Sequence, residues 1–253
     1  MSSRKIVIKD DTALAAMRES CRLAATVRDK VANAVAPGVR TKELGDYAES
    51  LIAEYGAESA FLGYMGYPGQ ICVSVNDGVV HGIPGDRRIE MGDIVSLDIG
   101  VKYRGYIGDT ATTVMVGVSD PDVIRLVKAT ELALMAGMEK ARSGGRLSDI
   151  SHAIETVAKA DGFTVVRDFV GHGIGRKMHE EPQIPNFGPA GKGPKLKRGM
   201  TLALEPMLNM GRAGVEVLGD GWTVLTKDRK PSAHFEHTIA VTEADAEILT
   251  VSE

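Results

Sequence analysis

The chain has 253 residues, of which 43% are hydrophobic and 25% charged, and its formal net charge is −4. This composition is typical of a soluble globular protein and excludes a disordered or collagen-like chain. No apolar run reaches the ~20 residues that cross a bilayer, and the first residues lack the apolar core of a signal peptide. We therefore expect a cytoplasmic protein without a membrane partner.

The remaining composition excludes two further classes. The sequence contains no long basic block of the kind that indicates nucleic-acid binding. The two cysteines, Cys21 and Cys72, are too few for a disulfide framework or a four-thiolate zinc site. We expect both to be reduced thiols.

Apolar residues at helical spacing predict a pair of helices near the start of the chain. The first covers about residues 12–35 and the second about residues 41–55. Strand-like runs separated by Gly, Pro and Asp turns follow at residues 71–75, 94–100 and 111–116.

The same order recurs after residue 119. Asp120 and Pro121 form a cap and first-turn pair that opens a helix to about residue 141. A further helix begins at Ser148 or Asp149 and ends at Gly162. Strand-like runs return at residues 164–170, 201–205, 222–226 and 235–242.

The order of two helices followed by strands occurs twice along the chain. This order predicts one α/β (α+β) domain over residues 1–253. Its halves are expected at about 12–119 and 120–249, after a short N-terminal segment, 1–11. Two such halves most simply pack their strands into one curved sheet with the helices outside. A ligand cleft is then expected between the halves, on the concave face.

Two aspartates lie in neighbouring predicted strands. Asp98 interrupts an apolar run and Asp109 precedes the next one, eleven positions later. If these strands form a hairpin that turns at about residues 102–105, the aspartates are direct cross-strand partners. Like charges at that position repel, so a cation between them is favoured. The alternatives are that Asp109 caps the turn or that Asp98 meets a lysine.

Three more residues extend this set. Glu205 ends an apolar run, Glu236 begins another, and His172 stands between two glycines. An acid in an apolar strand is costly to bury unless it is paired or bound to a metal. Simple salt bridges, from Glu205 to Arg212 and from Glu236 to Lys227, are the alternative interpretation.

Together, four carboxylates and one imidazole suit two hard or borderline divalent ions such as Mn, Fe, Co or Zn. Two such ions carry four positive charges, which balance four ligand carboxylates. Paired ions of this kind lie ~3.5–4 Å apart and activate water for attack. The residues therefore predict a hydrolase.

The five residues also resemble, in order and in local context, the metal ligands of the methionine aminopeptidases. The matching contexts are Asp98, Asp109 in GDT, His172 in GHGIG, Glu205 in EP and Glu236 in EHT. Residues 76–84, NDGVVHGIP, are similar to another signature of that family. The resemblance covers about residues 12–249 and implies the pita-bread fold.

The resemblance is to the short bacterial type I form. The first predicted helix begins about ten residues into the chain, so we expect no cysteine-rich extension. His172 and Glu205 are 33 positions apart, which leaves no room for the helical insertion of type II relatives.

The resemblance also implies roles for the five ligands. Asp109 and Glu236 would bridge both ions, Asp98 would complete one ion, and His172 with Glu205 would complete the other. Glu205 would also move the proton of the attacking water.

Two histidines outside the ligand set gain roles from the same resemblance. His179 would hydrogen-bond the scissile carbonyl as negative charge develops. His81 would contact the substrate backbone near the leaving amide.

The resemblance places a methionine pocket and a weaker ion site. The pocket residues are Phe61, Tyr64, Tyr67, Cys72, Met178 and Trp222. Sulfur and aromatic groups suit a thioether side chain. Phe61, Met65 and Met178 depart from the residues that some relatives carry. Asn76 and Ser232 match a monovalent-cation site of some relatives.

The expected function is removal of the initiator methionine from nascent chains, near the ribosome exit, by a monomer. A proline-specific aminopeptidase or prolidase of the same fold is the alternative, although such relatives usually carry an additional N-terminal domain. A non-catalytic binding protein of this fold is a third interpretation, which the complete ligand set disfavours. A structural α/β protein with scattered salt bridges is the fourth.

Overall fold

The structure, a computed structural model, describes residues 5–252. Residues 1–4 of the expected N-terminal segment and residue 253 lie outside the described residues. The α-helices within this range come in two pairs, each followed by strands, as predicted. They are α1 (Asp11–Asn33), α2 (Thr41–Glu54), α3 (Pro121–Glu139) and α4 (Leu147–Ala160).

The structure contains more strands than the sequence predicts, and most of the strands are short. The strands are β1 (Glu58–Ser59), β2 (Cys72–Val75), β3 (Gly78–Val80), β4 (Ile94–Tyr103), β5 (Tyr106–Met115), β6 (Thr164–Val165), β7 (Gly171–Gly173), β8 (Glu180–Ile184), β9 (Thr201–Leu204), β10 (Met207–Asn209), β11 (Val215–Val217), β12 (Val224–Thr226), β13 (Ser232–His234), β14 (Glu236–Ala240) and β15 (Glu247–Ile248). The domain bounds proposed above stay a prediction.

The helix starts follow the capping rules. The Asp10 side chain accepts a hydrogen bond of 2.8 Å from the Ala13 amide and caps α1. The Asp120 side chain accepts one of 2.8 Å from the Asp122 amide and caps α3, with Pro121 in the first turn. Local sequence therefore determines where both long helices begin.

A nine-stranded antiparallel sheet forms the centre of the molecule. Its main path is β1-β4-β5-β14-β9-β7-β8, with β2 paired to β4 and β15 paired to β14. Two three-stranded sheets, β13-β10-β6 and β11-β12-β3, stand beside it. The first half of the chain supplies one side of the central sheet and the second half the other, and the two sides join at the β5–β14 pair.

The hairpin β4–β5 corrects one prediction. Asp98 is opposite Ala111 and Asp109 is opposite Gly100, so the two aspartates are diagonal neighbours and not direct partners. The turn lies one residue later than expected, at Arg104 (φ 49°) and Gly105 (φ 78°). Two positive φ angles give the tight turn that matches strand twist.

The predicted strand at residues 164–170 is also wrong beyond its first two residues. Only Thr164 and Val165 pair with β10. Val165 and Val166 are both buried, but they pack into two different apolar clusters. The apolar run therefore serves two adjoining cores and not one long strand.

Alternation along β4 separates the core from the cavity face. Val95, Leu97 and Ile99 pack in the cluster formed with α1 and α2, while Asp98 belongs to the opposite set of positions. Helix α1 packs closely against β5 at Gly108. A Cβ at this position would come within 2.5 Å of the Cys21 Cα. Only glycine permits this approach, one residue before Asp109.

None of the helices in the described part of the chain has the length and apolar character of a membrane span.

Candidate active site

The five predicted ligands lie on, or directly after, five strands that are neighbours in the central sheet. Asp98 is on β4, Asp109 on β5, Glu236 at the start of β14, Glu205 directly after β9, and His172 on β7. This order sets the side chains in a row across the sheet. All five line one cavity of about 200 Å³.

Ligand-capable atoms in this row lie close together. Atoms of Asp109, His172 and Glu236 all lie within 4.8 Å of one another. The His172 Nε2 is 3.4 Å from Glu205 Oε1 and 3.8 Å from Asp109 Oδ2. These distances bring four of the predicted ligands together, and Asp98 lines the same cavity.

Several carboxylate oxygens in the row have no hydrogen-bond partner. Asp98 Oδ1, Asp109 Oδ1 and Glu236 Oε1 are buried and unpartnered. Among the described residues, no ion pair joins Glu205 to Arg212 or Glu236 to Lys227. The salt-bridge interpretation is therefore wrong, whereas oxygen and imidazole donors with free lone pairs fit divalent cations.

Burial and mutual repulsion act on these acids. Burial raises the pKa of Asp98 to about 7. Burial, followed by the charges of Asp98 and Glu205, raises the pKa of Asp109 well above its usual range. The pKa values of Glu205 and Glu236 are raised in the same way, by burial first and neighbouring carboxylates second. Bound cations would reverse this penalty.

Hydrogen bonds hold the row in place. The Thr238 hydroxyl donates to the Asp109 carbonyl at 2.8 Å and accepts from the Asp109 amide at 3.3 Å. The Asn186 side-chain amide donates to the Glu205 carbonyl at 3.0 Å. His172 Nδ1 lies 2.9 Å from the Gly173 carbonyl, which only accepts. The His172 proton is thus on Nδ1, and Nε2 is left as a ligand atom.

His179 and His81 line the same cavity. The Tyr64 hydroxyl lies 2.7 Å from His179 Nδ1, and the His179 and His172 ring centroids are 4.3 Å apart. Burial lowers the pKa of His179. Burial, with a smaller effect from His179, lowers the pKa of His81 to about 4. Burial therefore favours the neutral form of both imidazoles.

All six predicted pocket residues also line this cavity. The Tyr67 ring makes T-shaped contacts with the Phe61 and Trp222 rings at centroid distances of 6.5 Å and 5.1 Å. Burial raises the pKa of the Cys72 thiol well above its usual range. Met65, which is 83% exposed, completes the mouth.

Sequence reasoning missed two further lining residues, Phe169 and Val170. The Phe169 ring lies 5.3 Å from the His81 ring, edge to face. The Phe169 and His81 rings are 88 positions apart, and no local pattern marks their contact. The one available signal in the sequence is that Phe169 and Val170 come immediately before GHGIG.

The predicted monovalent-cation residues are neighbours. The Ser232 amide donates to the Asn76 carbonyl at 2.9 Å. The Asn76 side chain already accepts from the Ile94 amide at 3.0 Å and donates to Asp93 at 2.7 Å. An ion at this point would therefore need backbone carbonyls, and the site stays a prediction.

Comparison with known proteins assigns this arrangement to a class. The sequence profile of metallopeptidase family M24 matches residues 15–243. The chain is 50% identical over 245 residues to methionine aminopeptidase 1 of Bacillus subtilis (strain 168), covering 97% of this chain and 99% of that one.

Solved structures give the same result. The crystal structure of methionine aminopeptidase from Rickettsia prowazekii matches with a TM-score of 0.96 and 42% identity, covering 98% of this chain and 100% of that one. The prolidase from Pyrococcus horikoshii OT3, at 22% identity and a TM-score of 0.79, shares the fold, and this chain covers 64% of its length.

The chain belongs to metallopeptidase family M24 and, within that family, to the methionine aminopeptidases. The expected pita-bread fold is confirmed. The protein is therefore a metal-dependent aminopeptidase.

The raised pKa of Asp98 gives a prediction for the metal-free protein. The unfolded acid ionises at a pH of about 4, whereas the folded acid ionises at about 7. Folding therefore becomes less favourable as the pH rises between these values. Asp98→Asn removes this penalty and should increase the unfolding free energy, relative to the unmodified protein, by at least about 1 kcal/mol more at pH 8 than at pH 5.

Urea unfolding with a chelator present measures this difference. Asp86→Asn, at an exposed position, is the matched control. An Asp98→Asn effect that is the same at both pH values would contradict the assignment.

Proposed function

We propose that this protein removes the N-terminal methionine from nascent proteins and peptides whose second residue is small, with two divalent ions held by Asp98, Asp109, His172, Glu205 and Glu236. The observation that carries this proposal is the row of five ligands, with three unpartnered buried carboxylate oxygens, in one cavity. The identity to methionine aminopeptidases supports the choice of substrate.

The order of strands supports an assignment of the ligands. Asp109 and Glu236 lie in the middle of the row, on β5 and β14, so these carboxylates would hold both ions. Asp98 lies at one end, and His172 with Glu205 at the other. When bound, two divalent ions supply Lewis acidity and an activated water.

The protein's own residues perform the remaining steps. The Glu205 carboxylate takes the proton of the attacking water and passes it to the leaving amine. His179 donates a hydrogen bond to the scissile carbonyl as its oxygen gains charge. His81 holds the substrate backbone beyond the scissile bond.

The cavity itself selects the first side chain. Its volume of about 200 Å³ is below the ~300 Å³ at which pockets for larger ligands begin, so it suits a small group. Phe61, Tyr67, Cys72, Met178 and Trp222 provide aromatic and sulfur surfaces for a thioether. Tyr64 and Met65 lie at the mouth, where a bulky second residue would collide.

We also propose that the protein acts as a cytoplasmic monomer on chains that emerge from the ribosome. Initiator methionines first become accessible there, and the N-terminal segment of a nascent chain is the substrate that the pocket suits.

Peptide hydrolysis tests the proposed activity. Met-Ala-Ser should be cleaved with Co, Mn, Fe or Zn supplied, and exhaustive chelation should abolish cleavage. Ala-Pro peptides should remain intact; their preferential cleavage would favour the prolidase alternative. Cleavage of Met-Ala-Ser that survives chelation, or its absence with every metal, would overturn the proposal.

The assignment of bridging ligands predicts unequal losses of metal. Asp109→Asn and Glu236→Gln should each weaken binding more than His81→Ala, because a bridging carboxylate neutralises both ions in a buried site. Titration calorimetry with Mn or Co measures the affinity and the number of sites. Loss of metal in His81→Ala, while either bridging variant keeps two ions, would show that the assignment is wrong.

The proposed role of His179 is distinct from metal binding. His179→Ala should keep two ions and a similar KM, while kcat falls ~10²–10³-fold, the usual cost of one oxyanion donor. Steady-state kinetics and metal analysis of the same preparation measure both. If the variant lost one ion, or kept kcat within a few-fold, His179 would have a different role.

A further inference from the structure

The phenol of Tyr64 makes a hydrogen bond to the His179 ring. Its oxygen lies 2.7 Å from His179 Nδ1, and the two rings lie 5.4 Å apart with a 40° tilt. Among the described residues, His179 Nε2 has no hydrogen-bond partner, and the ring lines the cavity. The bond to Tyr64 therefore leaves Nε2 as the atom available to a substrate.

Tyr64 is held in a closed turn. Its amide donates to the Phe61 carbonyl at 2.9 Å, and its carbonyl accepts from the Tyr67 amide at 2.9 Å. The Gly63 amide donates to the Tyr67 carbonyl at 2.8 Å and closes the loop. The phenol therefore approaches His179 from a fixed backbone.

The backbone of the His179 loop is fixed separately. The next residue, Glu180, forms a buried ion pair of 2.6 Å with Lys9. Glu180 also accepts from the amides of Arg176 and Lys177 at 3.0 Å and 3.3 Å. These bonds place the Cα of His179, but they do not determine which ring nitrogen carries the proton.

The partners of the two neighbouring histidines have opposite chemistry. His172 Nδ1 faces the Gly173 carbonyl, which only accepts, so the His172 proton is on Nδ1. His179 Nδ1 faces a phenol, which can donate. A neutral imidazole nitrogen is a better acceptor than a phenol oxygen, and the phenol is the better donor. The favoured bond runs from the Tyr64 hydroxyl to His179 Nδ1, with the His179 proton on Nε2.

We propose that Tyr64 is a positioning residue: its hydroxyl donates to His179 Nδ1 and holds the imidazole in the tautomer whose Nε2–H points into the cavity. The contribution of this tautomer to catalysis rests on the proposed function. In that reaction Nε2–H is the donor that meets the scissile carbonyl. Without the hydroxyl, the ring divides between two tautomers, one of which presents a lone pair to the carbonyl oxygen.

Kinetics of Tyr64→Phe, His179→Ala and the double variant test the coupling. Tyr64→Phe keeps the ring and should lower kcat roughly 3- to 10-fold on Met-Ala-Ser, the value of one hydrogen bond, with KM nearly unchanged. In the His179→Ala background the same substitution should change kcat by less than about 2-fold. Tyr47→Phe removes a hydroxyl on the exposed surface of α2 and should leave kcat unchanged.

Nitrogen NMR of the metal-free protein tests the tautomer without the reaction. With ¹⁵N-labelled histidine at pH 8, the His179 signals, assigned by their loss in His179→Ala, should show a protonated Nε2. Tyr64→Phe should shift them towards a mixture of tautomers, with an unchanged Tm.

Three results would overturn the proposal: an Nδ1–H signal for His179 in the unmodified protein, an unchanged spectrum in Tyr64→Phe, or equal effects of Tyr64→Phe on kcat with and without His179. If Tyr64→Phe raised KM and left kcat unchanged, Tyr64 would only line the pocket and would not position His179. If no metal supports cleavage of Met-Ala-Ser, the proposed function fails, while the spectrum still decides the tautomer.

Discussion

The repulsion among four buried or partly buried carboxyl groups is the constraint on which the rest of this structure depends. Asp98, Asp109, Glu205 and Glu236 line one small cavity, where burial and, to a smaller extent, the charge of Asp98 raise the pKa of each of the other three. A fold that formed for stability alone would pair these acids or place them on the surface. Divalent cations turn the same repulsion into attraction, so the site and its ions are energetically one unit.

The central sheet supplies the rigidity that this arrangement needs. Its middle strands come from both halves of the chain and carry the ligands on one continuous ladder of backbone hydrogen bonds. Helix α1 lies against β5 at Gly108, and the Thr238 hydroxyl ties the Asp109 backbone to β14. Asp109 is therefore held from both sides, which limits how far repulsion can move it apart from Glu236.

The local sequence was sufficient to predict the features that depend on interactions between residues close together in the chain. The cap at Asp120 and the apolar spacing predicted the helices, and acids within apolar strands predicted a row of candidate ligands. The register of β4 and β5 was wrong because one turn residue, Arg104, adopts a positive φ that its side chain does not signal. The contact of Phe169 with His81 and the bond of Tyr64 to His179 join distant segments, so no local pattern contains them.

The proposed metal ligands and the proposed substrate contacts lie on different kinds of structure. Four of the proposed ligands lie on strands and the fifth, Glu205, lies next to one, where small displacements are resisted by the whole sheet. Residues proposed to meet substrate, such as Tyr64, Met65 and His179, lie on turns and loops at the mouth. Loops accept substitution more readily than a hydrogen-bonded sheet. The departures at Phe61, Met65 and Met178 all fall in this substrate-facing set, so selectivity for the peptide can change while the charge balance of the ion site does not.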